Sequence, residues 1–595
     1  MGARPGLDQE GDLRVKVSCD GKPQVDLPLV SLTVRRAFNR VPWAELIVQD
    51  GDMASGKFKL GDGNAFEPGT KVLISAGYGP ASEPLFDGIV VGIGIKIDGP
   101  NAARLVVECR DPVCRMTLGR NNANYLQQKD SAIIGKLIGQ YDGLTADVVE
   151  TTLEHDELVQ YDCSDWDFML ARAECNGLLV NVANGRVSVQ PPQGQRMVGE
   201  LAWGRDLYAF SAHTDARHQY TAARATAWDA QQLAIVQGSE AKPTALLQQG
   251  DLSGQKLAKV ASPKTLALHT ATQQEQAALT TWAEATQMKA ALARIRGRLT
   301  CRGYSGIEPG AVIQVERVGR HFAGEVLVSA VEHCLDNSEW HAEVEFGLAP
   351  DWHMMRDDVQ MPAAAGLLPG VGGLQIGVVL KLDGDPKDAQ RIQIKLPVMQ
   401  AETEGVWARC LQFYGSNGFG ALFLPEVGDE VIVGYLNDDP SHPVVLGSLY
   451  SGKHAPPYPI EADNDTKAIV TRAKHKIEFN EKDKILTITT PGKNKLVLDD
   501  DDQSILIQDQ HNNSIKLSQD GIALDTPYDI TLSAKKNIKL DAQMAIELTA
   551  QANAKIAGLN IDCEAQAGFS GKGNAKAELS STGQVTVSGS LVKIN

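Results

Sequence analysis

Aromatic residues are scarce in this chain, at 6% of 595 residues, whereas glycine occurs 56 times. Single hydrophobic cores stop growing near ~250 to 300 residues, so a chain of this length is expected to form several domains. Frequent glycine with few large rings is typical of many turns between short strands. We therefore predict a mainly β, multidomain fold.

Paired cysteines are also missing. The nine cysteines are odd in number and include no CxxC pair. Structural zinc sites commonly use such pairs, and secreted disulfide frameworks use even numbers of cysteines. The sequence predicts reduced, mostly buried thiols in a protein made in the bacterial cytoplasm.

Long apolar segments are absent from the start of the chain. It begins MGARPGLDQEGDLRVKV, which lacks the apolar stretch of a secretory signal peptide. Residues 363–380 carry no formal charge, but they include five glycines, Pro369 and Gln375. That composition predicts a linker that enters a strand and not a membrane helix.

Positive charge is in deficit, since 57 Lys and Arg face 74 Asp and Glu and the formal net charge is -17. A net negative charge repels phosphate backbones, and no cluster of basic residues interleaved with aromatics offsets it locally. Nucleic acid is not an expected partner.

Motifs for common catalytic centres are absent: no HExxH, GxSxG or GxxxxGK[ST] occurs. Asp499 to Asp502 lack the glycine and the distant glutamate of a calcium loop, so they predict a solvated turn. The acidic cluster at His155, Asp156 and Glu157 is expected to be a surface loop. We expect no catalytic residues, no metal site and no cofactor.

Strand signals dominate the first hundred residues. Alternating apolar runs at 30–34, 44–48, 72–76, 86–97 and 105–109 are separated by Gly, Asp and Pro, which indicates a small β-barrel or sandwich. Ser164 can cap a helix that ends at Asn176-Gly177. Asn184-Gly185 between alternating residues then predicts a hairpin.

A helix is expected within residues 271–299, which are rich in Ala and Gln. Met288, Leu292, Ile295 and Leu299 follow one another at steps of four, three and four, which places them on one helical face. Arg294, Arg296 and Arg298 could form an anion site at its end, but complementing the negative end of the helix dipole is the favoured interpretation. Further strand signals follow at 311–315, 324–333 and 341–348.

The carboxyl-terminal region repeats a pair of apolar residues at a step of eight. The first pairs are Ile522/Leu524, Ile530/Leu532, Ile538/Leu540, Ile546/Leu548 and Ala554/Ile556. After a shift of one residue, the step of eight continues with Ile561/Cys563, Phe569/Gly571, Ala577/Leu579 and Val585/Val587. After a second shift, Val592/Ile594 is the last pair. Alternation at a period of two places each pair on one face of a short strand. Upstream pairs from Ile477/Phe479 to Ile515/Leu517 step by nine or ten and predict an antiparallel meander.

Eight extended residues reach only ~26 to 29 Å, enough for one strand and a corner. One chain cannot easily enclose a core with such units, whereas three chains that each contribute one wall could do so and leave no open strand edge. A flat sheet of short hairpins and a disordered tail are the alternatives from periodicity alone.

Residues 374–450 read LQIGVV, RIQIKLP, GVWARC and then a segment containing Leu424-Pro425, Gly428-Asp429-Glu430-Val431 and Pro443 through Gly447 to Tyr450. This order resembles the oligonucleotide/oligosaccharide-binding (OB) type barrel of VgrG spikes and the related phage baseplate spike. Other segments resemble the hub-like amino-terminal half of that family. They are FDGIV at 86–90, the helix after Ser164, and PGAVIQV followed by HFAGEVLVSAVEH. The resemblance therefore covers nearly the whole chain.

The resemblance implies an ordered set of domains. They are a first hub-like β-barrel domain (1–112), a mixed α/β hub insert (113–228), a second hub-like β-domain with a long helix (229–368), an OB-type barrel (369–452), a linker with an antiparallel neck (453–521) and an intertwined trimeric β-helix or prism (522–595). Its expected trimer core comprises Ile522, Leu524, Ile530, Leu532, Ile538, Leu540, Ile546, Leu548, Ile556, Val585 and Val587.

The implied function is the structural central spike of a contractile injection machine, a homotrimer that caps the inner tube, contacts baseplate proteins and punctures a target envelope, touching its membrane transiently. A phage tail hub or an effector-bearing catalytic spike is the alternative. The particle would act outside the cell that made it, with effector cargo possible. The implied partner at Ser590, Leu591, Val592, Lys593, Ile594 and Asn595 is a PAAR-like tip protein.

Overall fold

The computed structural model describes residues 11–80, 82–100, 102–192, 196–261, 263–336, 339–400 and 404–594. The chain forms two compact units, Met1–Leu449 and Tyr450–Asn595. Short 3-10 helices in the first unit span Asn64–Phe66, Pro112–Thr117, His353–Met355, Ala363–Gly366, Pro397–Met399 and Leu436–Asp438. The expected mainly β fold is confirmed.

The first strands alternate buried and exposed residues around one core. They are β1 (Leu13–Cys19), β2 (Lys22–Pro23), β3 (Leu29–Ala37), β4 (Trp43–Gln49), β5 (Lys71–Tyr78), β6 (Glu83–Ile97) and β7 (Ala103–Arg110). All five predicted strands in this region are present. Their inward residues, such as Leu32, Leu46 and Val107, are fully buried, because every second side chain of a strand points to the same face.

A mixed segment follows, with helices packed on short strands. It contains β8 (Asn121–Lys129), α1 (Asp130–Gly139), β9 (Thr145–Val148), β10 (Glu154–Cys163), α2 (Asp165–Cys175), β11 (Leu179–Ala183) and β12 (Arg186–Gln190). The predicted cap is confirmed, since Asp167 N–H donates to the Ser164 hydroxyl at 3.1 Å. The predicted hairpin is also confirmed: Asn184 and Gly185 adopt φ of 54° and 77° between β11 and β12.

A second set of long strands forms another core. These strands are β13 (Arg196–Ala202), β14 (Leu207–Thr214), β18 (Ile295–Arg302), β19 (Ala311–Glu316), β20 (Gly324–Asp336) and β21 (Glu339–Phe346). Between them lie β15 (Ala223–Asp229), β16 (Ala234–Gln237), α3 (Gly254–Ala261), β17 (Leu266–Thr270) and α4 (Gln276–Ala293). Because β13 pairs with β19 and β14 with β18, this sheet crosses the domain boundary expected at residue 228.

The predicted helix in residues 271–299 is present but shorter. It ends at Ala293, and Ile295 and Leu299 lie in β18, where both are buried. The expectation that Arg294, Arg296 and Arg298 all complement the helix dipole was therefore wrong for the latter two. Arg294 remains at the helix end and donates from Nη1 to the Leu252 carbonyl at 2.8 Å.

One sheet runs through both sets of strands. Its order is β14-β18-β21-β20-β3-β4-β7-β6-β5-β1-β2, with β13 and β19 attached through β20. The junction is the antiparallel pair β3 and β20, in register from Ser31 opposite Asp336 to Ala37 opposite Ala330. Leu335 and Trp340 from the second set pack in the core of the first.

A separate closed barrel completes the first unit, as the OB-type expectation requires. Its strands are β22 (Gln375–Lys381), β23 (Arg391–Lys395), β24 (Val406–Cys410), β27 (Glu430–Tyr435) and β28 (Pro443–Ser448), with the small hairpin β25 (Gly415–Ser416) and β26 (Phe419–Gly420) between β24 and β27. The closed order is β22-β23-β24-β28-β27. Seven side chains, including Ile394 and Val431, fill its core.

The second unit begins with a seven-stranded antiparallel meander, as predicted. Its strands are β29 (Thr466–Val470), β30 (Lys476–Asn480), β31 (Ile485–Thr489), β32 (Lys495–Asp499), β33 (Ser504–Gln508), β34 (Ser514–Ser518) and β35 (Gly521–Asp525). Asp499 ends β32, and Asp500 to Asp502 lie in the turn that follows it. Ile522 and Leu524 pair with β34, so they belong to this meander and not to the needle in which they were expected.

The uncharged stretch at 363–380 is a turn of 3-10 helix followed by β22. None of the helices among the described residues has the length and apolar character to cross a membrane. All nine cysteines are free, and only Cys563 is exposed. Reduced thiols are thus consistent with the fold.

His333 on β20 provides a test of the shared core. Its ring lies 5.7 Å from that of Trp340, and its Nδ1 has no hydrogen-bond partner in the described part of the chain. Burial and, to a smaller extent, the Arg36 charge lower the pKa of His333 to about 3. The folded protein therefore holds this ring neutral, whereas the unfolded chain binds a proton below pH ~6.5.

We expect His333 to make stability pH-dependent. Its contribution is fully present above pH ~6.5 and is lost as the pH falls towards 3, by up to about 1.4 kcal/mol per pH unit. Between about pH 7.5 and about pH 5, the free energy of unfolding of the native protein should fall by about 2 kcal/mol more than that of His333→Leu. Denaturant unfolding followed by tryptophan fluorescence measures this difference, and parallel pH profiles would contradict it.

Candidate functional site

The meander carries an apolar face that spans all seven strands. Cross-strand register places two rows of side chains on this face. One row is Ile469, Ile477, Ile488, Leu496, Ile507, Ile515 and Leu524; the other is Phe479, Leu486, Leu498, Ile505, Leu517 and Ile522. The pairs predicted from the step of nine or ten residues supply both rows on β30 to β34, whereas Ile522 and Leu524 come from the eight-residue repeat and Ile469 was not predicted.

Little of the chain covers this face. Ile507 is 48% exposed and Leu524 is 54% exposed, although both lie within a regular sheet. A cavity of about 590 Å³ opens along the row that includes Ile488, Leu496 and Ile515. Burying one such aliphatic side chain stabilises a fold by ~1.5 to 3 kcal/mol. Because these side chains stay about half exposed in a single chain, they contribute only part of that free energy.

The segment after the meander, residues 527–594, is here named the repeat segment. It contains no helix or strand within its described residues, and every residue in it is exposed. The expected core residues Ile530, Leu532, Ile538, Leu540, Ile546, Leu548, Ile556, Val585 and Val587 are all among the exposed large apolar side chains. Extended backbone with unpaired N–H and C=O groups is a template for pairing with other strands.

The expected tip-docking residues end the repeat segment. Ser590, Leu591, Val592, Lys593 and Ile594 are exposed, with Leu591 at 76% and Ile594 at 91%. Asn595 lies outside the described residues. Their grouping into one surface stays a prediction.

The barrel motif residues occupy turns and strand ends. Gly428 adopts φ of +92° and donates its N–H to the Val379 carbonyl at 2.9 Å. The Asp429 carboxylate accepts from the Glu426 N–H at 2.8 Å, which closes the same turn. Pro443 begins β28, where Gly447 pairs with Ile432. Leu424 and Tyr450 are exposed, and Pro425 is partly exposed.

An exposed aromatic cluster lies in the connection between β24 and β27. Phe413 stacks on Phe423 with ring centroids 6.3 Å apart, and Tyr414 lies 6.0 Å from Phe419. All four rings are more than half exposed. This cluster was missed from sequence, although FYGSNGFGALF at 413–423 is the densest aromatic run in an otherwise ring-poor chain.

The cluster at His155 is not a surface loop, which corrects that expectation. His155 lies on β10, and its Nε2 is 3.1 Å from the buried Asp130 carboxylate. Arg172 donates to the same carboxylate from Nε at 2.6 Å and Asn176 at 2.8 Å. Although burial raises it, the hydrogen bonds from Arg172 and its neighbours hold the pKa of Asp130 below its ordinary value. The group joins β10, α1 and α2.

Within the described ranges, no group of three or more His, Cys, Asp or Glu side chains could hold a metal ion. The candidate functional features are three surfaces: the apolar face of the meander, the repeat segment and the aromatic cluster of the barrel.

Two motif glycines allow a matched test of the barrel. Gly428→Ala places a side chain at φ of +92° with no atom within 4 Å of the new Cβ, so its cost is backbone strain alone, ~1 to 3 kcal/mol. Gly447→Ala also has free space and no positive φ, and should change the free energy of unfolding by less than ~0.5 kcal/mol. Urea unfolding of both variants measures the difference. Equal losses would show that the turn imposes no strain.

Sequence comparisons locate two family models on the chain. Residues 9–337 match the Alg8 N-terminal domain, and residues 375–450 match the type VI secretion system/phage-baseplate injector OB domain. The second match coincides with the closed barrel.

Curated relatives are similar over shorter stretches. The actin cross-linking toxin VgrG1 of Vibrio cholerae is 31% identical over 121 residues, which is 19% of this chain and 11% of that protein. The type VI secretion system spike protein VgrG4b of Pseudomonas aeruginosa is 38% identical over 63 residues, 11% of this chain and 8% of that protein. The matched regions thus span about a tenth of the length of these relatives.

Solved structures with a similar course include the 43 kDa tail protein of prophage MuSo2 from Shewanella oneidensis, at a TM-score of 0.44 and 12% identity over 57% of this chain and 98% of that one. An E. coli component of the type VI secretion system has a TM-score of 0.37 and 11% identity over 73% of this chain and 100% of that one. The Alg8 N-terminal domain model covers more than half of the chain. The chain therefore belongs to the Alg8 N-terminal domain family, and its residues 375–450 match the type VI secretion system/phage-baseplate injector OB domain.

Proposed function

We propose that this protein is the structural central spike of a contractile injection machine and works as a homotrimer. The observation that carries the proposal is the repeat segment, in which pairs such as Ile538 and Leu540 recur every eight residues and remain exposed on a chain with no strand partner of its own. Such a segment is unstable alone, because its backbone groups and apolar side chains both need partners.

Three copies satisfy both requirements. If each chain supplies one wall of a prism, the paired apolar side chains meet at the centre, and each strand finds neighbours on other chains. The apolar face of the meander extends the same pattern, since its two rows use the same alternation. The result is a narrow rod with its backbone paired along its length, which resists local unfolding under load.

The remaining domains then take on docking roles. In this proposal the first 350 residues cap the inner tube and contact baseplate proteins, and the OB barrel serves as a trimerisation collar. The exposed rings of Phe413, Tyr414, Phe419 and Phe423 support that role, because contiguous exposed apolar patches commonly mark protein interfaces. No catalytic role is assigned to the chain.

The machine would be assembled from protein made in the bacterial cytoplasm and would act on a target envelope, with transient membrane contact. A tip protein of the PAAR type and effector cargo are the proposed partners of the spike. The match to injector OB domains of both secretion systems and phage baseplates supports the same class of machine.

Trimer formation is testable by mass. Light scattering of the purified protein should give three times the 64.0 kDa chain mass. Ile538→Asp with Ile546→Asp places charges at the centre of the prism and should lower the trimer fraction strongly, because buried unpaired charges are costly. Lys539→Ser with Glu547→Ser alters neighbouring outward positions and should leave the mass unchanged. A stable monomer of the native protein would refute the proposal.

Tip docking is testable by truncation. Removing residues 589–595 deletes the exposed end of the repeat segment, so binding of a PAAR-type tip protein should be lost while the mass stays trimeric. Lys572→Ala changes an exposed residue of the repeat segment outside the deleted stretch and should retain binding. Pull-down of the tip protein by each form measures this, and undiminished capture by the truncated form would place the docking surface elsewhere.

A further inference from the structure

A groove of about 560 Å³ lies on the long sheet of the first unit, bordered by β3, β14, β18, β20 and β21. Its volume falls within the ~300 to 1,000 Å³ typical of ligand pockets. Four arginines line it: Arg35, Arg40, Arg296 and Arg298. His213 and the hydroxyls of Ser211 and Ser329 lie among them, and Glu345 is the one acidic residue of the lining.

The groove has fewer acidic than basic side chains, so the charges of its four arginines are not neutralised within it. Glu345 accepts from Arg35 Nη2 at 3.1 Å and lies 3.6 Å from Arg298 Nη2. Arg35 also donates to Glu332 at 3.0 Å. Over the described ranges, no carboxylate lies within ion-pair distance of Arg40 or Arg296. The groove is thus a local excess of positive charge on a chain whose net charge is -17.

The groove is also lined by apolar side chains. They are Phe38, Phe346 and Leu348, together with Ala37, Ala330 and Ala349. Gly297 allows the strands to approach closely, since a Cβ there would lie 2.3 Å from the Ser211 carbonyl oxygen and 2.4 Å from Phe346 Cζ. Arginines and apolar side chains in one groove suit a ligand that carries both carboxylates and aliphatic groups.

The end of α4 and the start of β18 give the three arginines at 294, 296 and 298 different surroundings. Arg294 faces the helix end, whereas Arg296 and Arg298 lie on β18 opposite His213 and Ser211 and share one face with them. Alternation along a strand therefore presents two of the three cations to the groove. The sequence left an anion site as the weaker alternative for these arginines, and the fold places Arg35 and Arg40 of the first strand set beside Arg296 and Arg298.

We propose that this groove binds an acidic peptide segment of a partner protein. Guanidinium groups of Arg40, Arg296 and Arg298 pair with its Asp or Glu side chains, for which the planar arginine fork is well suited. Its apolar side chains lie against Phe38 and Leu348. The apolar side chains in the lining favour a peptide over a nucleic acid, whose phosphates are matched by cations alone.

The test uses the full chain and a fluorescein-labelled hexapeptide of alternating Glu and Leu, with fluorescence anisotropy as the readout. Binding should saturate, weaken with added salt, and be lost when Glu is replaced by Gln in the peptide. Arg296→Gln with Arg298→Gln should weaken binding roughly 10-fold or more, because two charge-assisted contacts are removed. Arg104→Gln, on β7 of the same sheet outside the groove, is the matched control and should bind like the native chain.

Charge reversal supplies a gain of function. Arg296→Glu with Arg298→Glu should bind a Lys and Leu hexapeptide in preference to the Glu and Leu one, which a folding defect cannot produce. Three results would overturn the proposal: equal binding of the Gln and Leu peptide, an equal loss in Arg104→Gln, or tighter arginine-dependent binding of a single-stranded oligonucleotide than of the acidic peptide. Each is independent of whether the chain forms trimers.

Discussion

The antiparallel pairing of β3 with β20 holds the first 350 residues together. It aligns residues 31–37 with 330–336 and thereby turns two sets of strands into one sheet. The pairing is reinforced on both faces. On one face Arg35 bonds to Glu332 and Glu345, and on the other Leu335 and Trp340 enter the core of the first set. The core of the first set is therefore completed by two side chains of the second.

That junction also creates the surfaces on which a partner could act. The groove draws Arg35 and Arg40 from the first strand set and Arg296 and Arg298 from the second. Its cationic lining thus exists only when the two sets are joined. Binding to such a groove would therefore require that both strand sets are folded and correctly joined.

Alternation was sufficient to predict most strands, the Asn184-Gly185 hairpin and both apolar rows of the meander, because each of these depends on residues close in sequence. It failed at the end of α4. Ile295 and Leu299 fit a helical spacing after Leu292, and Gly297 lies four residues beyond the last helical residue, Ala293, so the local pattern did not place the change from helix to strand correctly.

Tertiary contacts account for the other differences. His155 is brought to Asp130 by the pairing of β10 with β8, which leads directly into α1, and its acidic neighbours in sequence give no sign of this contact. The groove likewise unites arginines some 260 residues apart, which no periodicity connects. In the repeat segment the opposite holds: the pattern specifies an apolar face, but no described residue of the same chain covers it.

The pairing of β3 with β20 can form only late in the synthesis of the protein. The paired segments are separated by about 300 residues, and at ~5 to 20 residues per second β20 leaves the ribosome roughly 15 to 60 s after β3. Throughout that interval one edge of β3 has no strand to pair with, and closing so long a loop is intrinsically slow. Each nascent chain therefore exposes an unpaired edge of β3 during translation. The yield of folded protein depends on keeping that edge from pairing with other chains.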